Sequence, residues 1–203
     1  MYFFDTALLF ILALCYLAVR GIFVFLRIKN KQHIHWVKEA TGFLLAMYFF
    51  MVVSVTFFPW AAAGFSFGYL NMRSINLIPF VSIFEDISQI GTAYGGDKVF
   101  MASLIARNVG GNILLLMPLG FLAPVLSKKY RSFKKAAWLG LTVSLTIEIL
   151  QLFQNLTGGL GRITDIDDVI CNVMGTAIGY FLYALVIKSG AAFKIDMVKK
   201  LNA

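Results

Sequence analysis

Five apolar runs constrain this chain more than any other feature. They extend from about Phe3 to Leu26, Ala40 to Trp60, Val109 to Leu126, Ala136 to Leu156 and Val169 to Ile187. A helix rises about 1.5 Å per residue, so roughly 20 apolar residues cross a hydrocarbon core of about 30 Å. Inside lipid the backbone must satisfy its own hydrogen bonds, which makes each run a helix. The expected fold is an all-α membrane protein, a bundle of five transmembrane helices forming a single membrane domain over residues 1–203. Composition agrees. The chain is 60% hydrophobic and only 14% charged, against about 45–50% and 25% in soluble domains. No internal repeat or second domain is visible. The first run lacks a basic flank before it and is longer than a signal-peptide core, so it reads as a permanent helix.

The net charge is +8, which on a soluble protein would suggest nucleic acid. Here the basic residues lie between the apolar runs and report topology instead. Arg27, Lys29, Lys31 and Lys38 fill the first connection. Lys128, Lys129, Arg131, Lys134 and Lys135 fill the third, and Lys188, Lys194, Lys199 and Lys200 follow the last run. The opposite side carries Arg73, Lys98, Arg107 and Arg162, together with Asp5, Glu85, Asp86, Asp97, Asp165, Asp167 and Asp168. The positive-inside rule then predicts an outside N-terminus and a cytoplasmic C-terminus. Arg20 lies near the inner end of the first run, from where it can snorkel.

The connection over about 61–108 is long and apolar, with Phe65, Phe67, Tyr69, Leu70 and the run Ile75-Asn76-Leu77-Ile78-Pro79-Phe80. It is expected to pack at the outer membrane surface. Val99–Ala106 is too short to span and is expected to be an interfacial or re-entrant piece, broken from the third helix at Gly110-Gly111.

Polar groups in a bilayer are costly, so each needs a reason. Glu148 is the sharpest, with Gln151 and Asn155 on the same helix face. A structural polar network between helices is the bland alternative. Asp165, Asp168 and Asn172 repeat that spacing at the head of the last run. An N-cap on Asp165 or Thr164 would explain one aspartate and leave Asn172 unexplained. Asp165 and Asp168 could ligate a divalent cation such as Mg²⁺ or Ca²⁺, or supply a general base. Arg107, Asn108 and Asn112 form a third group. Arg107 suits either a phosphate head group or an ordinary interfacial anchor. All three groups approach the outer half of the membrane, which favours a lipid-linked or amphiphilic ligand.

Other features read as structural. Gly175 and Gly179 have the GxxxG spacing that lets helices approach closely, and Pro118 is expected to kink the third helix. Trp36, Trp60 and Trp138 mark helix ends. Cys15 and Cys171 form no CxxC pair, and His33 and His35 lie in the basic connection. No nucleophile elbow, Walker motif, zinc spacing or dinucleotide fingerprint is present.

The stretches INLIPF (75–80), NVGGNILLLMPLGFL (108–122), EILQ (148–151) and GRITDIDDVICNVMGTAIGY (161–180) resemble the VanZ-like family, named for teicoplanin resistance proteins. The resemblance covers a core over residues 75–180, about half the chain, and its last stretch is the most specific. It implies a small multi-pass protein of the bacterial plasma membrane, linked to lowered susceptibility to lipid-tailed glycopeptides such as teicoplanin. It implies action on lipid head groups or lipid-linked cell-wall precursors. By position, Asn112, Glu148, Gln151, Arg162, Asp165, Asp168 and Asn172 match the family's polar residues.

The leading expectation is therefore a head-group-modifying protein at the outer face. Glu148, Asp165 and Asp168 are the candidate catalytic residues. Arg107, Arg162, Asn112, Gln151 and Asn172 would bind and orient the substrate, and Asp165 and Asp168 would hold a divalent cation if one takes part. The expected partners are membrane lipids or lipid-linked wall precursors, with a lipoglycopeptide antibiotic as a further ligand. A lipid transporter and a non-catalytic lipid- or antibiotic-binding protein are the alternatives.

Overall fold

The structure is a computed structural model that describes residues 6–63, 75–156 and 164–192. Within them lie helices α1 (Thr6–Lys29), α2 (Trp36–Ala63), α3 (Val81–Ser88), α4 (Lys98–Leu126), α5 (Phe133–Leu156) and α6 (Ile166–Ala192). Two-residue strands, β1 (Ile75–Asn76) and β2 (Thr164–Asp165), pair in parallel. Among the described residues, five helices are long and apolar enough to cross a membrane: α1, α2, α4, α5 and α6. Arg162 and the aromatic stretch Phe65–Leu70 lie outside the described residues.

α4 corrects the expectation of a break at Gly110-Gly111. It is one helix of 29 residues, about 43 Å at the usual rise. A helical glycine costs only about 0.5–1 kcal/mol, less than abandoning a backbone ladder where water is scarce. The start of α4 is set by Asp97, whose side chain accepts the N–H groups of Val99 and Phe100. Its first turns therefore belong to the third span rather than to a separate interfacial piece.

α4 and α6 start at the same end of the bundle and run parallel in intimate contact. A Cβ added to Gly175 would overlap the carbonyl of Ile113, and one on Gly179 would overlap that of Met117. Gly120 of α4 meets the backbone of Thr176 in the same way. The GxxxG spacing is thus used as expected, with backbone seated on backbone. α5 packs antiparallel to α6, with Gly140 facing the Thr176 side chain. α2 completes the core, where Val52, Leu116 and Ile147 are buried together. Pro118 withholds an N–H from its own helix. One residue beyond the carbonyl it leaves unpaired, the Leu115 carbonyl accepts the Tyr48 hydroxyl.

α1 packs on α2. Arg20 does more than snorkel: its guanidinium forks onto Glu39 at 2.6–3.0 Å, and Arg27 reaches the same carboxylate at 3.3 Å. This ion pair sits at the basic end of the bundle, opposite the acidic end where α4 and α6 begin.

Candidate functional site

The acidic end is organised by the short β1–β2 pairing. It aligns Asn76 with Asp165 and so brings the 75–88 segment onto the head of α6. The Asn76 amide donates to Asp165 Oδ1 at 3.0 Å and to Ser82 Oγ at 2.6 Å. The Ser82 hydroxyl donates to Asp165 Oδ2. Asp165 also accepts the Asp167 N–H at 2.9 Å, the geometry of an N-cap. Both its carboxylate oxygens are thereby engaged in holding α6 and the 75–88 segment together.

Beneath it lies Glu148, 5% exposed and eight residues before the end of α5. Its Oε2 accepts the backbone N–H of Asp165 at 3.1 Å. In a capping box that N–H is taken by a side chain of the same helix; here a neighbouring helix supplies the carboxylate. The positive end of the α6 dipole favours that charge. Gln151 and Gln154 are also buried on α5, and the Gln154 amide donates to the Thr56 carbonyl of α2 at 3.0 Å.

Asp168, in the first turn of α6, accepts a hydrogen bond from Asn112 of α4. Asn172, one turn further in and 1% exposed, donates to Ser144 Oγ of α5 at 3.0 Å. Asn112, Glu148, Asp165, Asp168 and Asn172 are thus brought to one end of the three-helix contact. Arg107 and Asn108 are not drawn in; both side chains are exposed on α4.

Three participants escaped the sequence reading as site residues: Asn76, Ser82 and Asp167. Asp167 is 4% exposed, and its Oδ1 accepts the backbone N–H of Phe80. Its signal was present in the run Asp165-Ile166-Asp167-Asp168, where a cap accounts for one acid and not for three. Among the described residues, three buried side-chain oxygens have no hydrogen-bond partner: Thr164 Oγ1, Asp167 Oδ2 and Asn172 Oδ1. No group of three or more His, Cys, Asp or Glu among the described residues is placed to hold a metal ion. Asp165 and Asp168 therefore gain no third such ligand there.

Chemically, the site offers carboxylates for proton transfer, amides that orient, and acceptor oxygens left for a hydrogen-bond donor.

A family model described as VanZ/LLP1 matches residues 43–187, most of the chain and all of this site. The chain is 30% identical to Protein VanZ of Enterococcus faecium over 155 residues, covering 76% of this chain and 80% of that protein. No solved structure matches it. With most of its length matched and its acidic site inside the match, this membrane protein belongs to the VanZ/LLP1 family.

Proposed function

We propose that this chain acts on the head group of a membrane lipid or lipid-linked cell-wall precursor at the outer face of a bacterial plasma membrane. The observation that carries the reading is the burial of three carboxylates, Glu148, Asp165 and Asp167, at one end of a bundle whose helices are long enough to span lipid. Buried ionisable groups are expensive in such a setting and mark functional sites by default. The basic connections at the opposite bundle end favour a cytoplasmic location for that end and an outer location for the site.

In this reading Glu148 and Asp168 are the groups that exchange protons with substrate. Asn112 orients Asp168, and Asn172 and Gln151 line the approach. Asp165 positions α6 rather than reacting, because its oxygens are committed to Asn76, Ser82 and the Asp167 N–H. Arg107, exposed five residues before Asn112 on α4, suits the phosphate of a head group at the rim. α3 presents Phe84 and Ile87, apolar side chains suited to the membrane interface. A changed head group would alter how a lipid-tailed glycopeptide such as teicoplanin meets the membrane, which would account for the resistance link of the family.

The test is a mass-spectrometric comparison of membrane lipids and lipid-linked precursors from cells carrying the wild type, Glu148→Gln or no copy. A head-group change seen only with the wild type supports the reading. Identical lipid chemistry in all three sinks it and leaves transport or passive binding, which leaflet distribution would separate.

A further inference from the structure

Three buried oxygens without a hydrogen-bond partner narrow the class of head group. Asp167 lies in the first turn of α6 with Oδ1 accepting the Phe80 N–H and Oδ2 buried without a partner. Thr164, one residue before the cap, likewise buries an unpartnered Oγ1. Asn172 buries an unpartnered carbonyl oxygen further along the same helix. All three atoms can accept a hydrogen bond. Leaving such groups dry is costly, so native proteins fill them with a donor.

The kind of donor follows from the carboxylates, whose full charges outweigh the roughly half charge at the helix end. A phosphate placed against Asp167, with Asp165 two residues away, would be repelled. For a metal ion, Asp165 has both oxygens already committed to Asn76, Ser82 and the Asp167 N–H, and no group of three or more His, Cys, Asp or Glu among the described residues is placed to hold one. A primary ammonium meets both needs, since it neutralises a buried carboxylate and carries three N–H donors. The site also lies at the head of a spanning helix, where an amine-bearing head group would sit.

We propose that the head of α6 receives the protonated primary amine of a lipid head group, with the Asp167 carboxylate as its counter-ion and Thr164 Oγ1 as a second acceptor. This rests on the head-group reading and specifies its substrate class. A quaternary ammonium carries the same charge and no N–H, so N-methylation of the ligand separates donor recognition from charge attraction.

The test uses the purified full-length protein in detergent, offered phosphatidylethanolamine, phosphatidylcholine or phosphatidylglycerol and read by native mass spectrometry. The wild type, Asp167→Asn, Thr164→Val and Glu148→Gln are compared, with thermal melting to verify that each is folded. The expected result is retention of phosphatidylethanolamine about tenfold or more above phosphatidylcholine, as loss of a charged hydrogen bond implies. That preference should vanish in Asp167→Asn and weaken in Thr164→Val. Soluble glycerophosphoethanolamine should not displace the lipid; displacement would reassign the site to a free amine and overturn the lipid assignment. Equal retention of the amine and its methylated form, or a preference untouched by Asp167→Asn, would overturn the proposal and leave trapped water as the occupant. If the wild type retains none of the three lipids, the head-group reading itself fails.

Discussion

The backbone N–H of Asp165 donates to Glu148 Oε2 at 3.1 Å, so the head of α6 is held by a carboxylate contributed from within α5. This relationship separates two roles of Glu148 that a single substitution would confuse. Glu148→Gln keeps an oxygen acceptor for the Asp165 N–H and removes the charge. Glu148→Leu removes both and leaves a buried donor unsatisfied, at about 1–3 kcal/mol. The expected order of thermal stability in detergent is wild type close to Gln, with Leu clearly lower. A Leu variant as stable as the wild type would show that the bond contributes nothing.

The close approach of α4 and α6 makes a second prediction by contrast. Gly175→Ala and Gly179→Ala each drive a Cβ into a carbonyl of α4. The neighbour is backbone and cannot rotate aside, so a loss of about 1–3 kcal/mol is expected for each, as for overpacked cores. Gly110 and Gly111 have no atom within 4 Å of an added Cβ. Alanine there should be neutral or stabilising by up to about 1 kcal/mol through helix propensity. Melting of the four alanine variants side by side checks both halves.

The clasp on Asp165 predicts a local effect. Ser82→Ala removes the donor to Asp165 Oδ2, and Asn76→Ala removes a donor to Oδ1. Either change loosens the 75–88 segment on α6, leaving the β1–β2 pairing and the Phe80–Asp167 bond, while the spanning helices keep their packing. Hydrogen exchange read by mass spectrometry should quicken in peptides covering α3 and stay slow in those covering the α4–α6 contact. Unchanged exchange in α3 would mean that apolar packing, not the clasp, holds the segment.

Much of this arrangement was legible in the sequence because lipid makes polarity conspicuous. Glu148 and Asn172 stand out within apolar runs, and both are buried at the site. Asp167, Asn76 and Ser82 did not stand out, because they lie in or beside connections where polar residues are ordinary. Their contacts also cross 83 to 89 positions of chain, a pairing that no local spacing reveals. The chemistry of Arg107 suits a phosphate but does not fix which face of α4 carries it; it is exposed. The start of α4 is obscured in the sequence because Arg107-Asn108 interrupts the hydropathy without interrupting the helix. The signal that marks it is Asp97 ahead of Val99 and Phe100, a cap before an apolar run.

Phe80 supplies the last prediction. It precedes α3 with φ 66, in the left-handed region, where a side chain costs roughly 1–2 kcal/mol. The chain accepts that conformation at the residue whose backbone N–H donates to Asp167 Oδ1, which ties the strain to the site. Glycine adopts this φ freely and keeps the same N–H. The side chain being given up is 49% exposed, so little packing is lost with it. Phe80→Gly is therefore expected to hold or raise the melting temperature while leaving exchange at the Phe80 amide slow. Phe80→Pro removes the N–H and cannot reach positive φ, so it should both destabilise the protein and release the 75–88 segment. If Gly proved as damaging as Pro, the side chain rather than the backbone would be what this position contributes.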